Sequence, residues 1–342
     1  MDVDDPGHLT EHYNDSNRAF LQAFVARGTL TFKEAKPILA AIFTVQEDSP
    51  ADPADITQED FASYISACAD ALSPFDYEIR SMQHQVSKDR IYALVNSTSD
   101  ALTQIATTRS TEEMLYVKRL LDAMFETFNT RRQEVMGVTS LQALKLARGE
   151  GRRSTGDGEG AATSAQGLTQ SEAERTLERL VDEGWFERSK NGFFTLSPRG
   201  LLELRTWLVD AYNDDDPAVG GQEGDDWQRI KFCEACKDIV TIGQRCADRD
   251  CNCRIHDICQ TAFWRSRDEE QQGKKCPRCG TKWDGKHFVG ERAVTTTEAY
   301  LKGKRRSAGG GRSRGTAAVV ADEEDEDDES DDGHGKEEEE DE

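Results

Sequence analysis

At 342 residues the chain exceeds what one hydrophobic core usually supports, so two or three domains are expected. No apolar run is long enough to cross a membrane, and the opening residues carry Asp2, Asp4 and Asp5 in place of a basic and then apolar leader; both features point to a soluble intracellular protein. The net charge of -23 is concentrated at one end, because residues 321–342 hold sixteen Asp and Glu against one Lys, a local -15 that leaves only -8 for the remainder.

Near the start, Phe20, Leu21, Phe24 and Val25 share one helical stripe, and Gly28 is placed to end that helix. Thr31 and Glu34 have capping-box spacing for a second helix bearing Ala35, Ile38, Leu39 and Ile42, with Pro37 marking either a kink or the true start. A third helix runs from Thr57 with Phe61, Tyr64, Ile65, Cys68 and Leu72 on one face, and Pro74 stops it; Cys68 on that stripe reads as a buried thiol. The segments YEIRSMQ and RIYALVN then flank the polar HQVSKD as a β-hairpin. Three helices and a hairpin predict a winged helix over residues 1–107.

Residues 108–212 repeat the plan. Leu115, Leu120, Leu121, Met124, Phe125 and Phe128 form a first amphipathic stripe, and Leu141, Leu144, Lys145 and Leu146 a short second helix. The Gly- and Ser-rich stretch 150–167 reads as a flexible insertion. Thr169 and Glu172 cap a third helix carrying Ala173, Leu177, Leu180, Val181 and Trp185. WFERSKNGFFTLS is a hairpin with Asn191-Gly192 at its turn, and a closing helix begins at Pro198 with Leu201, Leu204, Leu208 and Val209 on one face. A second winged helix is expected, then a linker over 213–227.

A winged helix that reads DNA places its third helix in the major groove and needs basic or amide side chains there. Here the two predicted third helices are acidic: Glu59, Asp60 and Asp70 without a Lys or Arg in the first, and Glu172, Glu174, Glu178, Asp182 and Glu183 against Arg175 and Arg179 in the second. A duplex would repel both, which favours protein-docking surfaces.

Eight of the nine cysteines lie between Cys233 and Cys279, in the order Cys233-x-x-Cys236, Cys246 and Cys251, His256-x-x-Cys259, Cys276-x-x-Cys279. Thiolate with imidazole at this spacing selects zinc, and eight ligands serve two tetrahedral sites. The order suits interleaving, with Cys233, Cys236, His256 and Cys259 on one ion and Cys246, Cys251, Cys276 and Cys279 on the other. Cys253 is then the spare thiol, because Cys251 closes a shorter loop with Cys246. A Cys251-x-Cys253 pair that frees Cys246 is the competing assignment, and His287 a weaker substitute ligand. Closed four-ligand sites leave no open position for chemistry, so any reaction must be performed by a recruited protein.

RAFLQAFVARGTLT, RIYALVN, LTQSEAERTLERLVDEGWFERSKNGFFTLSPRGLLEL and the pattern CEAC…GQRC…C…H..C…CPRCG..W together resemble the non-SMC element one family, subunits of the chromosome-associated SMC five-six complex. The resemblance implies an α+β fold: two tandem winged-helix domains, a small cross-braced two-zinc RING-like domain over 228–292, and a disordered basic then acidic tail over 293–342. It implies ubiquitin-ligase activity and a role in recombination-linked DNA repair. Implied partners are a MAGE-family subunit docked on the winged helices, a kleisin subunit, the SMC heterodimer and a ubiquitin-conjugating enzyme. DNA would be met mainly through the complex, membranes not at all, and the location would be nuclear and chromatin-associated. Ala235, Trp264 and Pro277 occupy positions where RING domains contact the conjugating enzyme. Ala235 stands where strong ligases carry a larger aliphatic residue and Gly280 where many carry a basic one, so weak activity enhanced by a partner is expected. The chain departs from its relatives in the four residues between Cys246 and Cys251, where two are common, and in having Cys253. A PHD finger shares the ligand order but expects an aromatic where Lys274 stands. The rival functions are a non-enzymatic zinc-braced scaffold of the same complex and a winged-helix DNA-binding regulator. Lys302, Lys304, Arg305, Arg306, Arg312 and Arg314 form a basic patch suited to nuclear import or phosphate contact.

Overall fold

The structure, a computed structural model, describes residues 13–98, 101–148, 167–213, 227–267 and 273–309. Helix α1 (Asp15–Arg27) starts on Asn14, whose side-chain oxygen accepts from the backbone N–H groups of Ser16 and Asn17. It ends on Gly28, whose φ of 72° lets its N–H turn back to the Phe24 and Val25 carbonyls. Phe20 and Phe24 are fully buried, but Val25, expected on the same stripe, is 54% exposed. It lies about 100° around the helix from Phe24, beyond the face covered by its two neighbouring helices.

After β1 (Thr29–Thr31) comes α2 (Phe32–Glu47), whose capping box is complete: the Thr31 N–H donates to Glu34 Oε2 at 2.8 Å and the Glu34 N–H to Thr31 Oγ1 at 3.3 Å. Pro37 lies inside α2 and does not start it. Helix α3 (Gln58–Leu72) leaves Thr57 by the same device, with Asp60 as the reciprocal partner, and Pro74 sits in the 3-10 turn that follows. Strands β2 (Tyr77–Gln83) and β3 (Arg90–Asn96) pair antiparallel from Tyr77 opposite Asn96 to Gln83 opposite Arg90, while β1 pairs along the other edge of β3. Phe20, Phe24, Leu39, Phe61 and Cys68 form the core of this unit.

Helix α4 (Ala101–Ala106) leads to α5 (Thr111–Asp122), which continues into a π-turn over Ala123–Thr127. Leu115, expected inside, is 47% exposed; the buried stripe is Tyr116, Val117, Leu120 and Leu121. The Tyr116 hydroxyl donates to the Ala143 carbonyl at 3.0 Å and turns that face toward the next helix. Strand β4 (Val138–Thr139), which the sequence did not suggest, precedes α6 (Ser140–Lys145), where Ala143 is buried and Leu141 is 41% exposed. Helix α7 (Gln170–Asp182) starts on Thr169, and Trp185 lies just beyond it, still buried.

Strands β5 (Phe186–Arg188) and β6 (Phe193–Leu196) join β4 in the order β4-β6-β5, and their loop closes by the Gly192 N–H to the Ser189 carbonyl at 3.0 Å. The single closing helix expected is two, α8 (Pro198–Glu203), with Pro198 at its start, and α9 (Arg205–Asn213). Helix α8 packs across β2 and β3 of the first unit. Its Arg199 stands over the Trp185 ring at 4.5 Å and donates to the Glu183 carbonyl at 2.7 Å.

The cysteine-rich segment holds β7 (Gly243–Arg245), β8 (Arg254–Ile255), α10 (Gln260–Arg265) and β9 (Phe288–Val289), with strand order β8-β7-β9. Two further helices, α11 (Arg292–Thr295) and α12 (Glu298–Gly309), correct the expectation that a disordered tail begins at residue 293. Val294 is buried with Val135 and Phe193, and Gln133 Nε2 donates to the Ala293 carbonyl at 2.9 Å, so body contacts order a polar stretch with little apolar pattern of its own. Buried residues run without a break from Met82 and Val95 through Leu120, Leu177 and Trp185 to Ile230, Val240 and Trp283. The first sheet, the second unit and the cysteine-rich segment therefore share a core. Residues 150–166 of the insertion, 214–226 of the linker and the basic and acidic stretch from 310 lie outside the described residues. No helix among those described is long and apolar enough to cross a membrane.

Candidate metal centre

Each Cys-x-x-Cys pair sits on a tight turn. The Cys233 N–H donates to the Asp238 carbonyl at 2.8 Å and the Lys237 N–H returns to Cys233 at 3.0 Å; at the other end, Cys276 and Thr281 pair at 2.8 Å and the Gly280 N–H returns to Cys276 at 2.9 Å. Such turns present two thiols to one side at small conformational cost. His256 and Cys259 are joined likewise, the Cys259 N–H reaching the His256 carbonyl at 3.0 Å.

These turns bring the ligand atoms of Cys233, Cys236, His256 and Cys259 within 4.8 Å of one another, and those of Cys246, Cys251, Cys276 and Cys279 likewise. The first quartet takes the first and third pairs in the chain and the second takes the second and fourth, so the two are interleaved. Cys246 and Cys279 sulfurs are 3.5 Å apart and those of Cys251 and Cys276 3.6 Å. A tetrahedral ion with Zn–S bonds of about 2.3 Å separates its sulfurs by about 3.8 Å, so both the spacing and the soft donor set fit zinc. His256 turns Nδ1 to the thiols, 3.2 Å from Cys236 and 3.9 Å from Cys259, and directs Nε2 at the Ile239 carbonyl at 3.1 Å. That second contact places the proton on Nε2 and leaves Nδ1 free to bind.

Cys253 is fully buried, lies in neither quartet, and its thiol is pushed up by burial. Its neighbour Arg254 forks onto Glu134, with Nε 2.8 Å from Oε2 and Nη2 on Oε1, and its Nη1 donates to the Cys251 and Cys253 carbonyls, each at 2.7 Å. Lys231 and Arg245 approach the same carboxylate at 3.5 and 3.6 Å. Burial opposes ionisation of Glu134, but Arg254, Lys231 and Arg245 outweigh it and hold its pKa below the usual carboxylate value. Burial pulls Lys231 down to about 7.

Most of the chain has known counterparts. A family model described as the Nse1 non-SMC component of the SMC5-6 complex matches residues 17–204, more than half of the chain. The chain belongs to the Nse1 family. A second model, described as a RING-like domain, matches residues 233–279 and spans both quartets. The human protein named non-structural maintenance of chromosomes element 1 homolog is 24% identical over 271 residues, covering 79% of this chain and 84% of that protein. Non-structural maintenance of chromosomes element 1 of Schizosaccharomyces pombe is 22% identical over 226 residues, covering 66% and 78%. A solved chain from a structure named the Nse1-Nse3-Nse4 complex is similar in fold, with a TM-score of 0.56 at 18% identity over 83% of this chain and 99% of that one.

In this Nse1-family chain the three positions assigned to a conjugating enzyme fare differently. Ala235 is exposed and Pro277 half-buried, and their turns are tied by an ion pair between Glu234 and Arg278. Trp264 is only 4% exposed, its ring packed against Phe263 at 5.0 Å and Trp283 at 5.5 Å, which leaves little of it for a partner to meet. With so little apolar material in the segment, the Trp is spent on its core. His287 stands 3.7 Å from Asp284, outside both quartets. Glu134 and Gln85 escaped the sequence reading, because each lies in a polar turn that no motif marks.

Proposed function

We propose that this chain is a RING-type ubiquitin-ligase subunit of the SMC5-6 complex. It would hold two zinc ions through Cys233, Cys236, His256 and Cys259 and through Cys246, Cys251, Cys276 and Cys279. The single observation that carries the reading is the juxtaposition of the two interleaved quartets with the Ala235 and Pro277 turns, bridged by Glu234 and Arg278. Two metal-bound turns side by side make a rigid rim on which a conjugating enzyme can rest. Catalysis is then orientation of that enzyme's loaded ubiquitin, since neither quartet has an open position. The helical units, read as winged helices with acidic third helices, would dock a MAGE-family and a kleisin subunit, in keeping with the fold similarity to a chain of the solved Nse1-Nse3-Nse4 complex. Arg179 on α7 is taken up by Glu113 at 3.2 Å and Glu183 at 3.8 Å, which supports protein contact over DNA reading there. Nuclear, chromatin-associated action in recombination-linked repair follows from this reading. The test is ubiquitin-chain formation by the purified chain with a conjugating enzyme, with and without the MAGE subunit. Activity that rises with the partner supports the proposal, and equal output in both arms counts against it.

A second reading, a zinc-braced scaffold without ligase activity, is favoured by the burial of Trp264 and by the charged seam around Glu134 that fixes the RING-like segment to the body. No ubiquitin transfer with any conjugating enzyme, together with normal assembly, would select it.

A further inference from the structure

Two of the polar contacts that cross from the helical body into the RING-like segment reach backbone groups joined to the two quartets. From the β2–β3 turn of the first unit, buried Gln85 donates through Nε2 to the Ile239 carbonyl at 3.1 Å, the same oxygen that receives His256 Nε2 at 3.1 Å. Its Oε1 accepts the Thr241 and Ile242 N–H groups at 3.1 and 2.8 Å, so both ends of the amide are engaged and hold the carbonyl that meets the imidazole. From the second unit, fully buried Glu134 holds Arg254 in the fork that aims Nη1 at the carbonyls of Cys251 and Cys253. Charge adds a second argument. Burial pulls Lys231 down to about 7, so one carboxylate against the two guanidinium groups of Arg245 and Arg254 already leaves one buried positive charge in excess, opposite in sign to the formal charge of a zinc ion held by four thiolates.

We propose that each helical unit supplies the outer shell of one metal site: Gln85, through Ile239, orients His256 of the first quartet, and Glu134, through Arg254, orients the loop carrying Cys251 of the second. Metal retention and docking of the RING-like segment onto the body are then one linked equilibrium, and a partner that clamps the body slows zinc loss from a segment it does not touch. This rests on the zinc reading above. Both residues act through others and are positioning residues.

The experiment uses the full zinc-loaded chain, challenged with a chelator and pulsed with iodoacetamide, the modified cysteines being identified by mass spectrometry. Gln85→Glu keeps the acceptor for Thr241 and Ile242 but loses the donor to Ile239; it should expose Cys233, Cys236 and Cys259 about 10- to 100-fold faster than wild type and leave the other quartet unchanged. Glu134→Gln should do the same for Cys246, Cys251, Cys276 and Cys279. Arg254→Lys, which keeps the charge and loses the fork, replaces it if that variant does not fold. Asn191→Ala, which removes a contact to Glu291 at the same seam but touches neither quartet, should leave both rates unchanged. Release of both quartets at equal rates in every variant, or no change in any, overturns the proposal. Fewer than two zinc equivalents in the unchallenged wild type would instead overturn the zinc reading on which it rests.

Discussion

Phe61 of α3 meets Tyr92 of β3 edge to face, ring centroids 5.0 Å apart and planes at 86°, so the third helix of the first unit is locked to its central strand. The same ring touches Phe20 at 6.2 Å and Phe32 at 5.6 Å, making it the hub of that core. Phe61→Ala should cost about 3–5 kcal/mol, read as a lower urea midpoint, because a fully buried aromatic leaves a cavity its neighbours cannot fill. A loss below about 1 kcal/mol would show that the core collapses around the gap.

Metal removal should divide the molecule. The first unit has its own apolar core and needs no metal, whereas the RING-like segment gains on the order of 10 kcal/mol per structural ion. After chelation, eight cysteines should react with iodoacetamide while Cys68 does not, since it is buried and its thiol is pushed up to about 12. Mass spectrometry of the alkylated chain checks this, and modification of Cys68 at the rate of the others would contradict it.

Trp264 and Pro277 should separate structure from contact. Trp264→Ala empties the small core between Phe263 and Trp283 and should lower bound zinc and thermal stability together. Pro277→Ala should leave both unchanged and reduce ubiquitin-chain formation. Native mass spectrometry beside a ubiquitination assay reads both, and the reverse pattern would make Trp264 the contact and Pro277 the structural residue.

Gly243 should tolerate no side chain. A Cβ there would lie 2.4 Å from the Ile255 carbonyl oxygen, a backbone atom fixed by the β7–β8 pairing. Gly243→Ala should cost about 1–3 kcal/mol and loosen the strand that enters His256, seen as lower zinc content at equal expression. Wild-type stability in this variant would mean that β7 and β8 can part without consequence.

Local chemistry was legible in the chain itself. Thr31 with Glu34 and Thr169 with Glu172 cap helices within one turn, YEIRSMQ and RIYALVN form strands with those bounds, and the cysteine pairs sit on the tight turns their spacing suits. All of these depend on neighbours a few residues away, so order along the chain suffices to read them. Inward and outward faces were less legible: Val25, Leu115 and Leu141 lie at the edges of apolar stripes, and only the packing of other elements decides which edge is covered. The burial of Trp264, the ordering of residues 293–309 and the placing of Gln85 and Glu134 behind the quartets were decided by tertiary structure alone. Glu134 meets Arg254 across 120 positions, and Gln85 meets Ile239 across 154. Contacts at that range arise when preformed units dock, and docking selects polar residues by where they stand in space, which no local periodicity records.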